Sequence, residues 1–158
     1  MDYGADLMRG YFGIGIINLK KDVNIGSLWR SAYIFGAVYI YVTGRRYQKQ
    51  SSDTIHAYKS IPLFHYETQE QFLESRPLDA QLVAIETGEN YLPLNTFIHP
   101  ERAVYVLGAE DGGIPKNVLD KCQYKVYIPS VRDVCLNVAV AGTIIMYDRM
   151  IKQGNKNA

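Results

Sequence analysis

Cysteine, histidine and net charge are all scarce in this chain of 158 residues, and each scarcity narrows what it can be. The 2 cysteines, Cys122 and Cys135, form no Cys-x-x-Cys pair and no metal-ligand spacing. That sets aside a zinc ribbon and a disulfide scaffold, and a reduced, cytoplasmic protein is the expectation. The 3 histidines, His56, His65 and His99, are far apart and show no zinc-type pairing, so no metal is expected. Lys and Arg number 17 against 16 Asp and Glu, a formal net charge of +1. Such a balance neither requires nor forbids a polyanionic partner, so only local clusters carry meaning. No apolar run approaches the ~20 residues of a bilayer span. The opening MDYGADLMRG has an early acid and no long apolar core, so it does not read as a secretory signal. Repeats and low-complexity tracts are missing too.

Familiar nucleotide and hydrolase signatures are also absent. Gly108 to Gly113 lacks the Lys and hydroxyl of a triphosphate-binding loop. Gly13-Ile-Gly15 has no third glycine and lies inside an apolar run, where close backbone packing is the better reading. No Gly-x-Ser-x-Gly elbow exists, and nothing local activates Cys135 as a thiolate.

What is present is regular alternation of strand and helix patterns. YFGIGIINL, from Tyr11 to Leu19, reads as a buried strand. Ile25, Leu28, Trp29, Ala32 and Phe35 then recur at helical spacing, with Asn24 expected as N-cap and Gly36 as the stop. Ala37 to Thr43 is the next strand, completing a β-α-β unit that predicts parallel pairing. Further on, a short helix is expected around Asp53 to Lys59, a short strand at IPLFHY and a helix from Thr68 to about Ser75. Strands are expected at Gln81–Thr87, at AVYVLG and at Tyr124–Ser130, with a short helix opening on Pro115 between the last two. LNVAVAGTIIMYDRMIK closes the chain as a long helix rich in β-branched residues, so burial should hold it. The class is α/β, with a mainly parallel sheet.

In such sheets ligands sit outside the carboxyl ends of the strands. Three strands end in irregular chemistry: AIET-GEN, YVLG-AEDGG and VYIP-SVRD. Together they predict one site. The glycine-rich loop carries Glu110 and Asp111, which repel phosphate and suit a cationic or donor-rich ligand. Positive charge gathers at Lys20-Lys21, at Arg45-Arg46 with Lys49, and at Lys116, Lys121, Lys125 and Arg132.

Three blocks, in order, resemble the SpoU branch of the SPOUT methyltransferases, the TrmH-like RNA ribose methylases. VNIGSLWRSAYIFGA is similar to that family's first motif through Asn24, Gly26, Arg30, Phe35 and Gly36. VLGAEDGGIP is similar to the second through Gly108, Glu110, Gly113, Ile114 and Pro115. YIPSVRDVCLNVAVAG is similar to the third through Ile128, Pro129, Leu136, Asn137, Val138 and Ala141. Two positions depart: Ala109 stands where many members have Asn, and Cys135 where most have Ser.

The resemblance implies a single SPOUT catalytic domain over residues 1–158, with no separate RNA-binding domain. It implies helices on both faces of the sheet and a deep C-terminal trefoil knot. It implies a homodimer, with no membrane association, that uses S-adenosyl-L-methionine to methylate a ribose 2′-hydroxyl of tRNA or rRNA. Methylation of a base, or a catalytically weak RNA- or cofactor-binding module, are the alternatives. Arg30, Asn24, Glu110 and Asn137 are the implied catalytic residues. Arg30 lies among apolar residues and would clamp a phosphate, since a guanidinium is a poor base; a structural ion pair with Glu110 is the other reading. Glu110 would brace Asn24 or Arg30, and Asn137 would cap the last helix and tie it to the first motif. Cofactor contacts are expected at Glu86, Thr87, Gly88, Leu107, Gly108, Ile128, Pro129, Cys135 and Leu136, mostly through main chain. Arg45, Arg46 and Lys49 are nominated as the grip on RNA, with salt-dependent binding.

Overall fold

Period-2 patterning in β1 (Tyr11–Leu19) sends Phe12, Ile14 and Ile16 to one face of the sheet and Gly13 and Gly15 to the other. Helix α1 (Asp22–Phe35) follows and returns the chain to β2 (Tyr39–Gly44), which pairs parallel with β1. The computed structural model describes residues 10–46, 60–109 and 111–155. Glu110, Lys49, His56 and the helix expected at 53–59 lie outside the described residues.

The chain continues through β3 (Leu63–Tyr66), α2 (Gln69–Ser75), β4 (Gln81–Ile85), β5 (Leu92–Pro93) and a 3-10 turn at Leu94–Thr96. It ends with β6 (Arg102–Gly108), α3 (Lys116–Leu119), β7 (Tyr124–Tyr127) and α4 (Val138–Asn155). Among the described residues these strands form one seven-stranded sheet, ordered β3-β2-β1-β6-β4-β7-β5. Every pairing in it is parallel. The sequence pattern did not disclose β5, because two residues carry no periodicity.

Helices cover both faces. Helices α1 and α4 pack over Ile14, Ile40, Val83, Tyr105 and Leu107, and α2 and α3 over Ile17, Tyr41, Leu82 and Val106. Each fully buried large apolar side chain in these layers contributes roughly 1.5–3 kcal/mol relative to exposure. On the second face the missing side chains of Gly13 and Gly15 make room for tyrosines. A β carbon on Gly13 would lie 2.4 Å from the Tyr39 ring, and one on Gly15 would lie 2.2 Å from the Tyr41 carbonyl oxygen. Close packing is therefore the use of these glycines.

Caps follow local chemistry. Gly36 ends α1 at φ 87°, and the Thr68 hydroxyl accepts from Gln71 N to open α2. The start of α1 differs from the sequence expectation. Lys21 is the N-cap and Asn24 lies inside the first turn, because Asp22 already supplies the acid favoured at a helix N-terminus. The C-terminal half of α4 is tied to the segment before β6. Arg149, 4% exposed, donates to the Pro100 and Glu101 carbonyls at 2.7 and 2.8 Å. His99 lies between Tyr105 Oη and Asp148 Oδ2, both at 2.7 Å. No described helix is long and apolar enough to cross a membrane, and no described cluster of His, Cys, Asp and Glu forms a metal site.

Candidate active site

β6, β4 and β7 are neighbours in the sheet, so their carboxyl ends meet at one place. A cavity of about 180 Å³ opens there. Glu86 and Thr87 leave β4 to form one wall, Leu107 and Gly108 end β6 as the next, and Ile128 follows β7. Cys135 and Leu136 close it from the loop that leads into α4. Seven of the nine residues expected to hold a cofactor thus line one cavity. Gly88 and Pro129 do not. The chain turns away after Thr87, leaving Gly88 packed under the Tyr91 ring, where a β carbon would be 2.7 Å from that ring. Pro129 is exposed.

Sequence reasoning missed Ser130, Asp133 and Val134, which also line the cavity. The irregular end VYIP-SVRD held that signal, but not which of its side chains turn inward. Among the described residues no Lys or Arg lines the cavity, whereas Glu86 and Asp133 do. Its remaining lining residues are uncharged, with Thr87, Ser130 and Cys135 among apolar neighbours. This chemistry suits a cation with a flat, hydrogen-bonding ring and opposes a triphosphate.

The glycine-rich loop is shaped by contact as much as by turn preference. Gly113 has φ 62°, and its N–H donates to the Ala109 carbonyl at 3.0 Å. Ala109 N in turn donates to the Ile17 carbonyl at 3.2 Å. A β carbon on Gly108 would lie 2.4 Å from the Gly113 carbonyl carbon. Asp111 and Gly112 form the exposed tip.

Asn137 joins the outer two blocks. Its Oδ1 accepts from Ala139 N at 2.9 Å and Val140 N at 3.3 Å, which caps α4, and its Nδ2 donates to Asn24 Oδ1 at 3.0 Å. Asn24 is buried at 7% exposure, so this bond occupies an acceptor that water cannot reach easily. Arg30 differs from expectation. It is exposed, in an outward row with Val23, Ser27 and Ile34, because the buried stripe of α1 is Ile25, Leu28, Trp29 and Ala32. Its apolar sequence neighbours Leu28, Trp29 and Ala32 face the other way.

The basic residues gather beside α1. Asn18, at φ 59°, interrupts the β1–β2 register and donates from its N–H to Thr43 Oγ1. The chain therefore brings Lys20 against the end of β2. Arg45 donates to the Lys20 carbonyl at 3.4 Å and pairs with Asp22 Oδ2 at 3.2 Å. Its side chain remains half-exposed, and Arg46 is exposed. Asp22 is buried, and its Oδ1 has no hydrogen-bond partner among the described residues.

Both cysteines are free thiols. Burial pushes the Cys122 thiol up to about 12, while Cys135 is exposed at the cavity wall. His65 bonds the Gly44 carbonyl and His99 the α4 network, so each serves packing.

Fold and site together define a parallel α/β protein with a ligand cavity across three strand ends, closed by a helix capped from within the site. The chain belongs to the SpoU rRNA methylase family, whose model matches residues 12–147. It is 25% identical over 140 residues to the mouse tRNA (guanosine(18)-2′-O)-methyltransferase TARBP1, covering 82% of this chain and 9% of that protein. The fold superposes on the A. aeolicus TrmH/SpoU tRNA modifying enzyme with a TM-score of 0.82 at 20% identity, covering 96% of this chain and 81% of that one. It also superposes on an AdoMet-bound rRNA methyltransferase from Sinorhizobium meliloti, with a TM-score of 0.79 at 21% identity over 91% of this chain and 57% of that one.

Proposed function

We propose that this protein is an S-adenosyl-L-methionine-dependent RNA methyltransferase that acts on a ribose 2′-hydroxyl of tRNA or rRNA. The observation that carries this reading is the cavity itself: three strand ends, two carboxylates and no described basic side chain. Those residues fit a sulfonium nucleoside. The Asp133 carboxylate favours its positive charge, and main-chain groups at the strand ends can meet the edge of an adenine. The mouse relative is a tRNA (guanosine(18)-2′-O)-methyltransferase, which favours ribose over base.

The cofactor would supply a methyl group activated on a sulfonium. The chain's part is alignment. Arg30, exposed on α1, would hold an RNA phosphate and so position the target nucleotide. The ribose oxygen would gain the methyl as its proton passes to that phosphate or to water. Asn24 and Asn137 would hold α1 and α4 together beside the donor. Arg45 and Arg46, with Lys20 and Lys21 alongside, would grip the backbone further out. Glu110 is retained in the proposal as a brace for the first motif.

A single catalytic domain with a C-terminal trefoil knot, acting as a homodimer, completes the reading. Tyr33 and Ile34 on α1 and Tyr147 and Ile151 on α4 are 42–60% exposed. Val131 and Val134, beside the cavity, are 91% and 77% exposed. A second copy over this face would bury them and complete the site wall.

The test is incubation with bulk unmodified tRNA and rRNA plus methyl-labelled cofactor, then digestion to nucleosides and mass spectrometry. A 2′-O-methylated nucleoside is expected, and Arg30→Ala should abolish it while cofactor binding persists. A methylated base, or cofactor binding without any transfer, would overturn the ribose reading.

A further inference from the structure

The Ile114 amide belongs to a residue only 5% exposed, so water is a poor partner for it. Its partner is the Glu86 carboxylate. Ile114 N donates to Glu86 Oε2 at 3.0 Å, and Thr87 N donates to Oε1 at 3.2 Å. One side chain at the end of β4 therefore holds its own strand exit and the far side of the loop after β6. The same carboxylate fills the space next to Gly113, where a β carbon would lie 2.5 Å from Oε2. Gly108 presses on Gly113 and Ile114 from the other side, within 2.4–2.6 Å of their backbone for a β carbon placed there. The loop is clamped between Glu86 and the end of β6, and Glu86, Gly108 and Gly113 all line the cavity.

We propose that Glu86 is a positioning residue: its carboxylate straps Gly113 and Ile114 to the β4 exit and so sets the shape of the cofactor cavity. The proposal rests on the cofactor reading of that cavity, and it assigns the work to the side chain. A carboxylate suits this task because it accepts two N–H bonds at once and each is charge-assisted. The alternative use of the same group, as a counter-ion to the sulfonium, makes a different demand. A counter-ion discriminates the charged cofactor from its neutral demethylated product, S-adenosylhomocysteine, whereas a strap serves both alike.

Two measurements separate these. Amide exchange at Ile114 reads the strap with no ligand present, and calorimetry reads affinity for S-adenosylmethionine and S-adenosylhomocysteine. Glu86→Ala should speed Ile114 exchange and weaken both ligands by about tenfold or more, the effect of losing one charge-assisted bond. Glu86→Gln keeps an amide oxygen for Ile114 N and should restore protection, with both affinities within about threefold of the parent. Unchanged exchange and affinity in Glu86→Ala would overturn the proposal. Selective loss of S-adenosylmethionine in Glu86→Gln would overturn it too, in favour of the counter-ion. A parent chain that binds neither ligand would overturn the cofactor reading, while Ile114 exchange decides the strap independently.

Discussion

His99 is held in one tautomer by its neighbours. Arg149 donates to Tyr105 Oη at 3.0 Å, so the tyrosine proton points to His99 Nδ1 and the ring keeps its own proton on Nε2, facing Asp148. Burial lowers the His99 pKa from its ordinary 6.5, with Arg149 and Lys152 adding to the shift and Asp148 opposing it. Below about pH 6.5 the unfolded chain takes up a proton that the folded chain resists. The contribution is therefore complete above that pH and is lost as pH falls toward the folded pKa. Thermal melts from pH 7.5 to 5.5 should show falling stability in the parent and a flatter profile in His99→Gln. Nothing around His99 in the sequence indicated this role, because Asp148 and Arg149 reach it only through the packing of α4. Arg30 teaches the converse. Its identity was legible in the first motif, yet its apolar neighbours in sequence implied burial, and the phase of the helix decided against it.

At the scale of elements, periodicity was a reliable guide wherever it extended over several residues. β1 matched its expected bounds, and the hydrophobic spacing of α1 identified its buried stripe. Boundaries suffered where capping residues compete, as Asp22 and Asn24 do, and the two-residue β5 left no trace, whereas Pro115 marked the start of the short α3. Gly13 and Gly15 show how an apparent motif resolves into packing. Gly15→Ala would drive a methyl into the Tyr41 carbonyl and ring, 2.2 and 2.4 Å away. Backbone cannot yield as a flexible side chain can, so a loss of about 1–3 kcal/mol is expected. Chemical denaturation should show it as a lower midpoint with an unchanged slope.

The exposed apolar sides of α1 and α4 matter at the scale of the whole molecule. Phe35 and Tyr147 already meet edge to face across these helices, with ring centroids 6.1 Å apart. Sedimentation should find a dimer, and Ile34→Asp with Tyr147→Asp should yield a folded monomer with impaired methyl transfer. The outward charges belong to the same scale. Reversing Arg45 and Arg46 should weaken RNA binding and flatten its salt dependence while leaving cofactor affinity near the parent's. Failure to do so would remove that loop from the proposed grip.

Local chemistry in the chain was enough to determine the parallel α/β class, the close-packed glycines, the irregular strand ends and the residues of three motif blocks. Each of these depends on turn, cap and periodicity effects that act over a few residues. Other features were decided only in three dimensions. Arg149 reaches the Pro100 carbonyl across 49 positions, Glu86 reaches Ile114 across 28, and Arg30 faces outward. These depend on the insertion of β6 between β1 and β4 and on the packing of α1 against α4. Strand order and helix docking are settled by the whole core at once, and no local stretch of sequence carries that information.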